Sequence, residues 1–300
     1  MLPIGLLNLN KPSGMTSRRA VDVVQRLARP AKAGHAGTLD PLASGVLVVC
    51  VGAATRLIEY VQRMPKRYRG TFLLGRSSTT EDIEGDVVEL ASPPIPTQDQ
   101  ICEAARQFVG RILQRPPAFS ALKVGGRRAY DLARAGRAPE LAPRPIDVFS
   151  IEVITYDYPE LILDVACGSG TYIRSLGRDL GESLGTAAVM SALVRTAIGG
   201  FHIEEAVEPG QLDAAHWLER LESPLRAVEQ LPRVQLSADE AKRIRNGQAI
   251  DAERIGDLVD FVRQVENRSC VEMAAVDPDG QLAAILTRLD SGQWRAARNF

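Results

Sequence analysis

The residues most able to do chemistry lie in one short stretch, Gly34-His35-Ala36-Gly37-Thr38-Leu39-Asp40-Pro41-Leu42-Ala43-Ser44-Gly45. Asp40 precedes a proline, whose ring disfavours helical geometry for the residue before it. Its carboxylate is therefore expected to project from a loop rather than a helix face. Gly34, Gly37 and Gly45 let another backbone or a ligand come close. A carboxylate displayed this way can act as a nucleophile toward a substrate that the loop surrounds. A tight structural turn, with Asp40 bonded to its own backbone, would use the same residue types, and the spacing leaves both readings open.

A second set is aromatic and basic. Tyr68 stands among Lys66, Arg67 and Arg69, the setting in which an aromatic ring stacks on a base while its neighbours meet phosphate. The chain as a whole has a net charge of -1, which argues against an RNA binder until the distribution is considered. From Gln62 to Thr80 there are five basic residues and no acidic one. Ile101 to Pro145 holds nine basic residues against three acidic, a local net of +6. A solvated face would show the same runs.

The elements that must carry these residues are legible in outline. A strand is expected over Gly5 to Leu9, then a turn at Lys11 to Gly14, and a helix capped near Thr16 or Ser17 and running to Leu27, before Pro30. After the glycine-rich loop come a β-branched run, Val46 to Val51, and a helix from Ala54 to Gln62. Strands follow at Tyr68 to Leu74 and Asp86 to Leu90, joined by SSTTEDIEG. A helix over Gln98 to Val109 leads to a turn-rich stretch and a short basic helix near Ala129 to Ala135. Strands at Val148 to Tyr156 and Leu161 to Val165 precede CGSG and a helix that Thr171 is expected to cap. Beyond Phe201 an acidic helical connector is expected, containing Gln211 to Leu221. A small unit then begins near Leu231, with a helix at Ala238 to Arg245 and strands around Cys270 to Val276 and Leu282 to Leu286. Strands and helices without strict alternation indicate an α+β class. The 300 residues divide into a body over 1–228 and a C-terminal unit over 229–300.

Other chemistries find little support. Cys50, Cys102, Cys167 and Cys270 are scattered, without a CxxC pair, and only three histidines could join them. Neither a zinc site nor a disulfide framework is suggested. The longest apolar run, Val46 to Ala54, is far below the roughly 18 residues of a membrane-spanning helix. The opening MLPIGLLNLNKPSG lacks a leader pattern, so a cytoplasmic location is expected.

GHAGTLDPLASG resembles the catalytic motif of the tRNA pseudouridine-55 synthases, the TruB family. LLNLNKPSGMTS, KRYRGTFLLG, QRPPAFSALKVGGRRAYDLARAG, CGSGTYIRSLGRDLGESLG and LVRTAIGGF match in order, so the likeness spans Leu6 to Phe201. One departure is Ser78 in SSTTED, where threonine is commoner. The resemblance implies the pseudouridine synthase fold, a central mixed, mainly antiparallel sheet flanked by helices, followed by a small β-rich PUA-like RNA-binding domain. It also implies an isomerase without cofactor or metal: the C1'–N1 bond of one uridine in the tRNA T-loop breaks, the uracil turns, and it rejoins through C5.

By the same resemblance Asp40 is the nucleophile, directed at C1' or C6. Arg174 is its salt-bridge partner, since a guanidinium beside a carboxylate orients it and balances its charge. Tyr68 stacks on the uracil and is a candidate general base. Tyr172 and Leu193 line the base pocket, and His35 fills the space left by the everted nucleotide, offsetting the few kcal/mol that unstacking costs. Lys123 and Arg127 contact the RNA backbone, and Lys11 is structural, near the Asp40 loop. A monomer acting on the T-arm of tRNA, away from membranes, is implied. Two rivals remain. A guide-dependent ribosomal RNA pseudouridine synthase shares the chemistry. An RNA methyltransferase would use LDVACGSGTYIRSLG as a cofactor loop, but needs an acidic ribose ligand about 20 residues on, and none stands between Ser183 and Ile203.

Overall fold

The computed structural model describes residues 2–120, 122–124, 126–128, 130, 132, 139, 141–251 and 272–300. Strand β1 (Gly5–Lys11) leads through a tight turn to helix α1 (Ser17–Ala28); β2 (Ala33–His35) and β3 (Ser44–Val51) follow, flanking the glycine-rich loop. A 3-10 turn at Gly52–Leu57 runs into α2 (Ile58–Arg63), then come β4 (Lys66–Leu74) and a small hairpin of β5 (Arg76–Ser78) and β6 (Val87–Glu89). Next are α3 (Gln98–Gln107), β7 (Gly110–Gln114), the short pair β8 (Lys123–Val124) and β9 (Arg127–Arg128), and β10 (Arg144–Asp157). The body closes with β11 (Glu160–Cys167), α4 (Ile173–Ser183), β12 (Ala188–Ile198) and β13 (Phe201–His202). The C-terminal unit comprises β14 (Arg233–Gln235), α5 (Ala238–Arg245), β15 (Glu272–Val276), β16 (Leu282–Arg288) and β17 (Trp294–Asn299).

The body is organised by a sheet of order β1-β3-β12-β4-β11-β10-β7, with β2 on β3 and β13 on β12. Every pairing in it is antiparallel except β3 with β12, so the mixed, mainly antiparallel α+β expectation holds. The apolar run of β3 shows no alternation because both of its faces are covered. Leu47, Val49 and Val51 pack with α1 residues Val21 and Val24, whereas Val46, Val48 and Cys50 pack with Leu57, Tyr60 and Val61. Farther along, Phe72, Leu161 and Leu163 pack with Leu176 and Leu180 of α4 and Ile101 of α3. Each fully buried side chain of this kind contributes about 1.5 to 3 kcal/mol.

Glycines set how closely α4 approaches the sheet. A Cβ on Gly177 would stand 2.1 Å from the Phe72 ring, and one on Gly181 would stand 2.7 Å from the backbone nitrogen of Ala188. These two residues, one turn apart on the helix, cost helical propensity but let the helix that carries Arg174 lie close against β4 and β12, in the middle of the sheet.

Several elements differ from expectation. Thr171 does not cap α4: Tyr172 occupies the cap without a side-chain bond, while the Thr171 hydroxyl turns back to the Gly168 carbonyl at 3.3 Å. The segment from Ala54 starts as a 3-10 turn and becomes α-helical only at Ile58. The connector Gln211 to Leu221 holds 3-10 turns, at Pro209–Gln211 and Trp217–Arg220, rather than an α-helix. Asp213 diverts it by accepting bonds from the backbone of Ala215 and His216, the competition that makes aspartate a turn residue. Strands β7, β12, β14 and β17, and the short β2, β5, β8, β9 and β13, were not anticipated. The helix expected near Ala129 to Ala135 falls mostly outside the described residues, as does Cys270.

Candidate active site

Asp40 lies on the loop between β2 and β3, and that loop is fastened from below. Ser17, at the start of α1, donates its hydroxyl to the Leu39 carbonyl at 3.0 Å and accepts from the Leu39 amide at 2.8 Å. Ser13 donates to the Leu42 carbonyl at 2.8 Å, and the Gly14 amide donates to the Pro41 carbonyl at 2.8 Å. Lys11 is fully buried. Its amine donates to the carbonyls of Met15 at 2.6 Å and Pro12 at 3.0 Å, and more weakly to Pro41 at 3.4 Å. Burial pushes the Lys11 amine down to about 8, with the Asp40 charge acting against that shift. The turn after β1 thus holds the Asp40 loop by its backbone and leaves the carboxylate free.

Arg174, on the first turn of α4, meets that carboxylate: Nη2 is 3.1 Å from Asp40 Oδ2. The guanidinium side chain is only 7% exposed, whereas that of Asp40 is 38% exposed. Its other contacts are with protein groups: Nη1 donates to the buried Asp82 Oδ2 at 3.1 Å and to the Thr80 carbonyl at 2.8 Å, and Nη2 donates to the Phe119 carbonyl at 3.1 Å. Asp82 is held in turn by the Thr80 hydroxyl at 2.6 Å and the Glu84 amide at 3.1 Å. A guanidinium held this way presents one open carboxylate and is an orienting device, because three of its five donors are committed to the protein before any substrate arrives.

Tyr68 lies on β4, 9% exposed, with the Arg195 guanidinium carbon 6.0 Å from its ring centroid. Burial raises the Tyr68 phenol above its usual range, with Arg195 pulling the other way less strongly. The ring is therefore a neutral, apolar surface at neutral pH. Arg195 is itself buried on β12 and donates to the Val46 carbonyl at 2.7 Å and the Gly37 carbonyl at 3.0 Å. It ties the Asp40 loop to the floor on which Tyr68 stands. Gly45, at φ +99°, makes this parallel crossing possible: a Cβ there would lie 2.2 Å from the Arg195 carbonyl oxygen. Leu193 is buried in one cluster with Leu39, Ala43 and Tyr68.

Tyr172 caps α4 with its backbone clamped by the Gln114 amide, which donates to its carbonyl at 3.0 Å and accepts from its N–H at 2.9 Å. Its ring lies under Arg144, 5.2 Å away. His35 ends β2, partly buried, and its Nδ1 has no hydrogen-bond partner among the described residues. Burial lowers the His35 imidazole below its usual range, and Arg195 and Arg18 lower it further, so it is neutral at physiological pH. Lys123 and Arg127 lie on the β8–β9 pair, and their side chains fall outside the described residues. Among the described residues no three His, Cys, Asp or Glu side chains converge as a metal-binding set. Asp82 and Arg195 were not anticipated. The signal for Arg195 is one arginine inside the apolar run AVMSALVRTAIGGF; for Asp82 it is an acidic residue in SSTTEDIEG, read only as the connection between two strands.

The sheet and the glycine-packed helix, with an open carboxylate on a buried guanidinium at their junction, have the pseudouridine synthase architecture. The fold matches solved structures entitled "Crystal Structure of a Cbf5-Nop10-Gar1 Complex", with TM-score 0.72 and 27% identity over 96% of this chain and 79% of that one. It also matches "Structure of H/ACA RNP bound to a substrate RNA containing 2'-deoxyuridine", with TM-score 0.71 and 23% identity over 99% of this chain and 84% of that one. The family model for the TruB family pseudouridylate synthase N-terminal domain matches residues 25–173, and that for the tRNA pseudouridylate synthase B C-terminal domain matches 174–234. The two matches meet inside α4, at Arg174. Curated relatives named tRNA pseudouridine synthase B include one from Dehalococcoides mccartyi, 38% identical over 99% of this chain and 96% of that protein. Another, from Thermosipho melanesiensis, is 41% identical over 94% and 90%. The chain belongs to the TruB family of pseudouridylate synthases.

Proposed function

We propose that the chain converts uridine to pseudouridine in the T-loop of tRNA, at position 55, with Asp40 as the reacting carboxylate. The observation that carries the reading is the part-exposed Asp40 carboxylate held on a buried guanidinium whose other bonds fix it to the protein. An everted uridine placed over Tyr68 would bring its ribose to Asp40. Attack by the carboxylate at C1' or C6, or stabilisation of the departing base, lets the C1'–N1 bond break. The uracil turns on the Tyr68 face, C5 bonds to C1', and the proton lost from C5 is balanced by one gained at N1. No outside group or redox partner enters the balance. The raised phenol of Tyr68 favours its stacking role over proton removal, because a neutral phenol is a weak base.

Tyr172 and Leu193 complete the base pocket, and His35, neutral with an unpaired nitrogen, fills the gap in the RNA. Lys123 and Arg127 would meet the backbone of the T-arm. The division into a body, 1–228, and a PUA-like C-terminal unit, 229–300, belongs to the same reading, in which that unit grips the acceptor stem. So do a monomeric state and a cytoplasmic location; among the described residues no helix is long and apolar enough to cross a membrane. The guide-dependent alternative is less favoured, since relatives at 38% to 41% identity over nearly the whole chain carry the tRNA enzyme's name. Purified protein incubated with an unmodified T-arm minihelix, followed by mass spectrometric mapping, tests the proposal. Pseudouridine at the T-loop uridine without guide RNA is expected; its absence, or its appearance only with a guide, would refute it.

A further inference from the structure

One turn beyond Arg174 on α4 lies a second buried ion pair, to which the steps above give no part. Arg178 and Glu81 have side chains 14% and 11% exposed and are joined directly. Glu81 Oε2 also accepts from the Ser175 hydroxyl at 2.6 Å. Arg178 Nη2 donates to the Arg115 carbonyl at 2.9 Å, while Asp179 braces its Nε and Nη2 at 2.8 and 2.7 Å. Compared with the contacts of Arg174, a pattern emerges: residues 80–82 and 115–119 are each attached to α4 through both arginines.

The backbone explains how two adjacent acids serve one helix. In extended chain, consecutive side chains point to opposite faces, but here only Asp82 forms a single bridge, to Met190, between turns at 79–80 and 83–84: the Met190 amide donates to the Glu81 carbonyl and the Ile83 amide to the Met190 carbonyl, both at 3.0 Å. Glu81 sits at φ +64°, the left-handed region that residues bearing a side chain seldom adopt. That turn brings both Glu81 and Asp82 onto α4.

We propose that Glu81 and Arg178 are positioning residues for pseudouridine formation: their pair sets the two segments that hold Arg174, and so aims Arg174 at Asp40. The inference rests on the function proposed above. Single-turnover rates and tRNA affinity are to be measured separately for Glu81→Gln, Arg178→Met, Arg178→Lys and the double variant Glu81→Gln/Arg178→Met, well below each melting temperature. Glu81→Gln and Arg178→Met should each slow the single-turnover step about tenfold or more with tRNA Kd changed less than about twofold. The double variant should be no slower than the slower single one, since the residues act as a unit. Arg178→Lys, which keeps a cation opposite Glu81, should recover most of the rate. Should Arg178→Met fail to fold, the near-isosteric Glu81→Gln carries the test. Unchanged single-turnover rates in folded variants, losses that multiply in the double variant, or an equal weakening of tRNA binding would overturn the proposal. Wild-type protein that makes no pseudouridine would instead overturn the function reading, so the two failures are distinct.

Discussion

Asp40 and Asp82 come from two different loops and sit on the same guanidinium, each with an oxygen 3.1 Å from an Arg174 nitrogen. Their surroundings separate them. Asp82 is 3% exposed, and its carboxylate is occupied by the Thr80 hydroxyl and the Glu84 amide. Asp40 is 38% exposed, and its loop is held through its carbonyls by the side chains of Ser13, Ser17 and Lys11 and the Gly14 amide, which leave the carboxylate alone. The comparison teaches that one guanidinium can hold one carboxylate closed, with its acceptors satisfied, and another open to solvent, as the proposed reaction requires.

The sharpest way to break that comparison is to neutralise each acid. Asp40→Asn is expected to lower single-turnover pseudouridine formation by about a thousandfold or more, the scale of losing a group that acts in the transition state. Binding of tRNA should stay within about tenfold, because phosphate contacts supply most of it. The melting temperature should barely move, since a half-open pair contributes at most about 1 kcal/mol. Asp82→Asn should show the reverse balance: a loss of about 1.5 to 3 kcal/mol in denaturant unfolding and a rate lower by about tenfold. Equal stability losses in the two variants would remove the distinction.

Tyr68→Ala tests the floor beneath Asp40 and should reduce the single-turnover rate about a hundredfold, far more than it weakens tRNA binding, as misplacing a reactant does. A smaller effect concerns Lys11. Below about pH 8 its amine is a cation donating to the turn carbonyls; above it the charge and one donor are lost, and the hold on the Asp40 loop weakens. The wild-type rate should therefore fall severalfold as pH rises through about 8, and Lys11→Met should be slower but flat over that range. A fall that persists in Lys11→Met would assign it to Lys66, whose amine burial also lowers to about 8.

The smallest effect is expected far from the site, where Arg298 of β17 joins Glu59 and the Tyr60 hydroxyl of α2. The Arg298 side chain is 27% exposed and Glu59 is 41% exposed, so Arg298→Ala should cost about 1 kcal/mol or less in unfolding and leave the rate on a minihelix unchanged.

How much of this was legible in the sequence differs from element to element. The helix from Ser17 was, because apolar positions recur at helical spacing behind a threonine that does cap it, accepting from the Arg19 amide. The central strand β12 was not. Its residues AVMSALVRTAI carry no alternation, since it lies between β3 and β4 in the middle of the sheet, and tertiary burial overrides the weak local preference. The connector after Phe201 looked helical from its acidic composition, yet Pro209 and the Asp213 side chain break it into 3-10 turns.

Within the site, residue types and near neighbours determined a great deal. Pro41 keeps Asp40 out of a helix, the glycines leave its loop room, and the ordered motifs point to one family. They could not determine which charges meet. Asp40 belongs to the loop before β3, Arg174 to a helix after β11, and Asp82 to a connection after β4. Their meeting follows from the strand order β3-β12-β4-β11 and from glycines that let α4 lie against Phe72. Burial decided the rest, since whether a carboxylate becomes a brace or a reacting group depends on what closes over it, and that is a property of the folded packing rather than of any local stretch of chain.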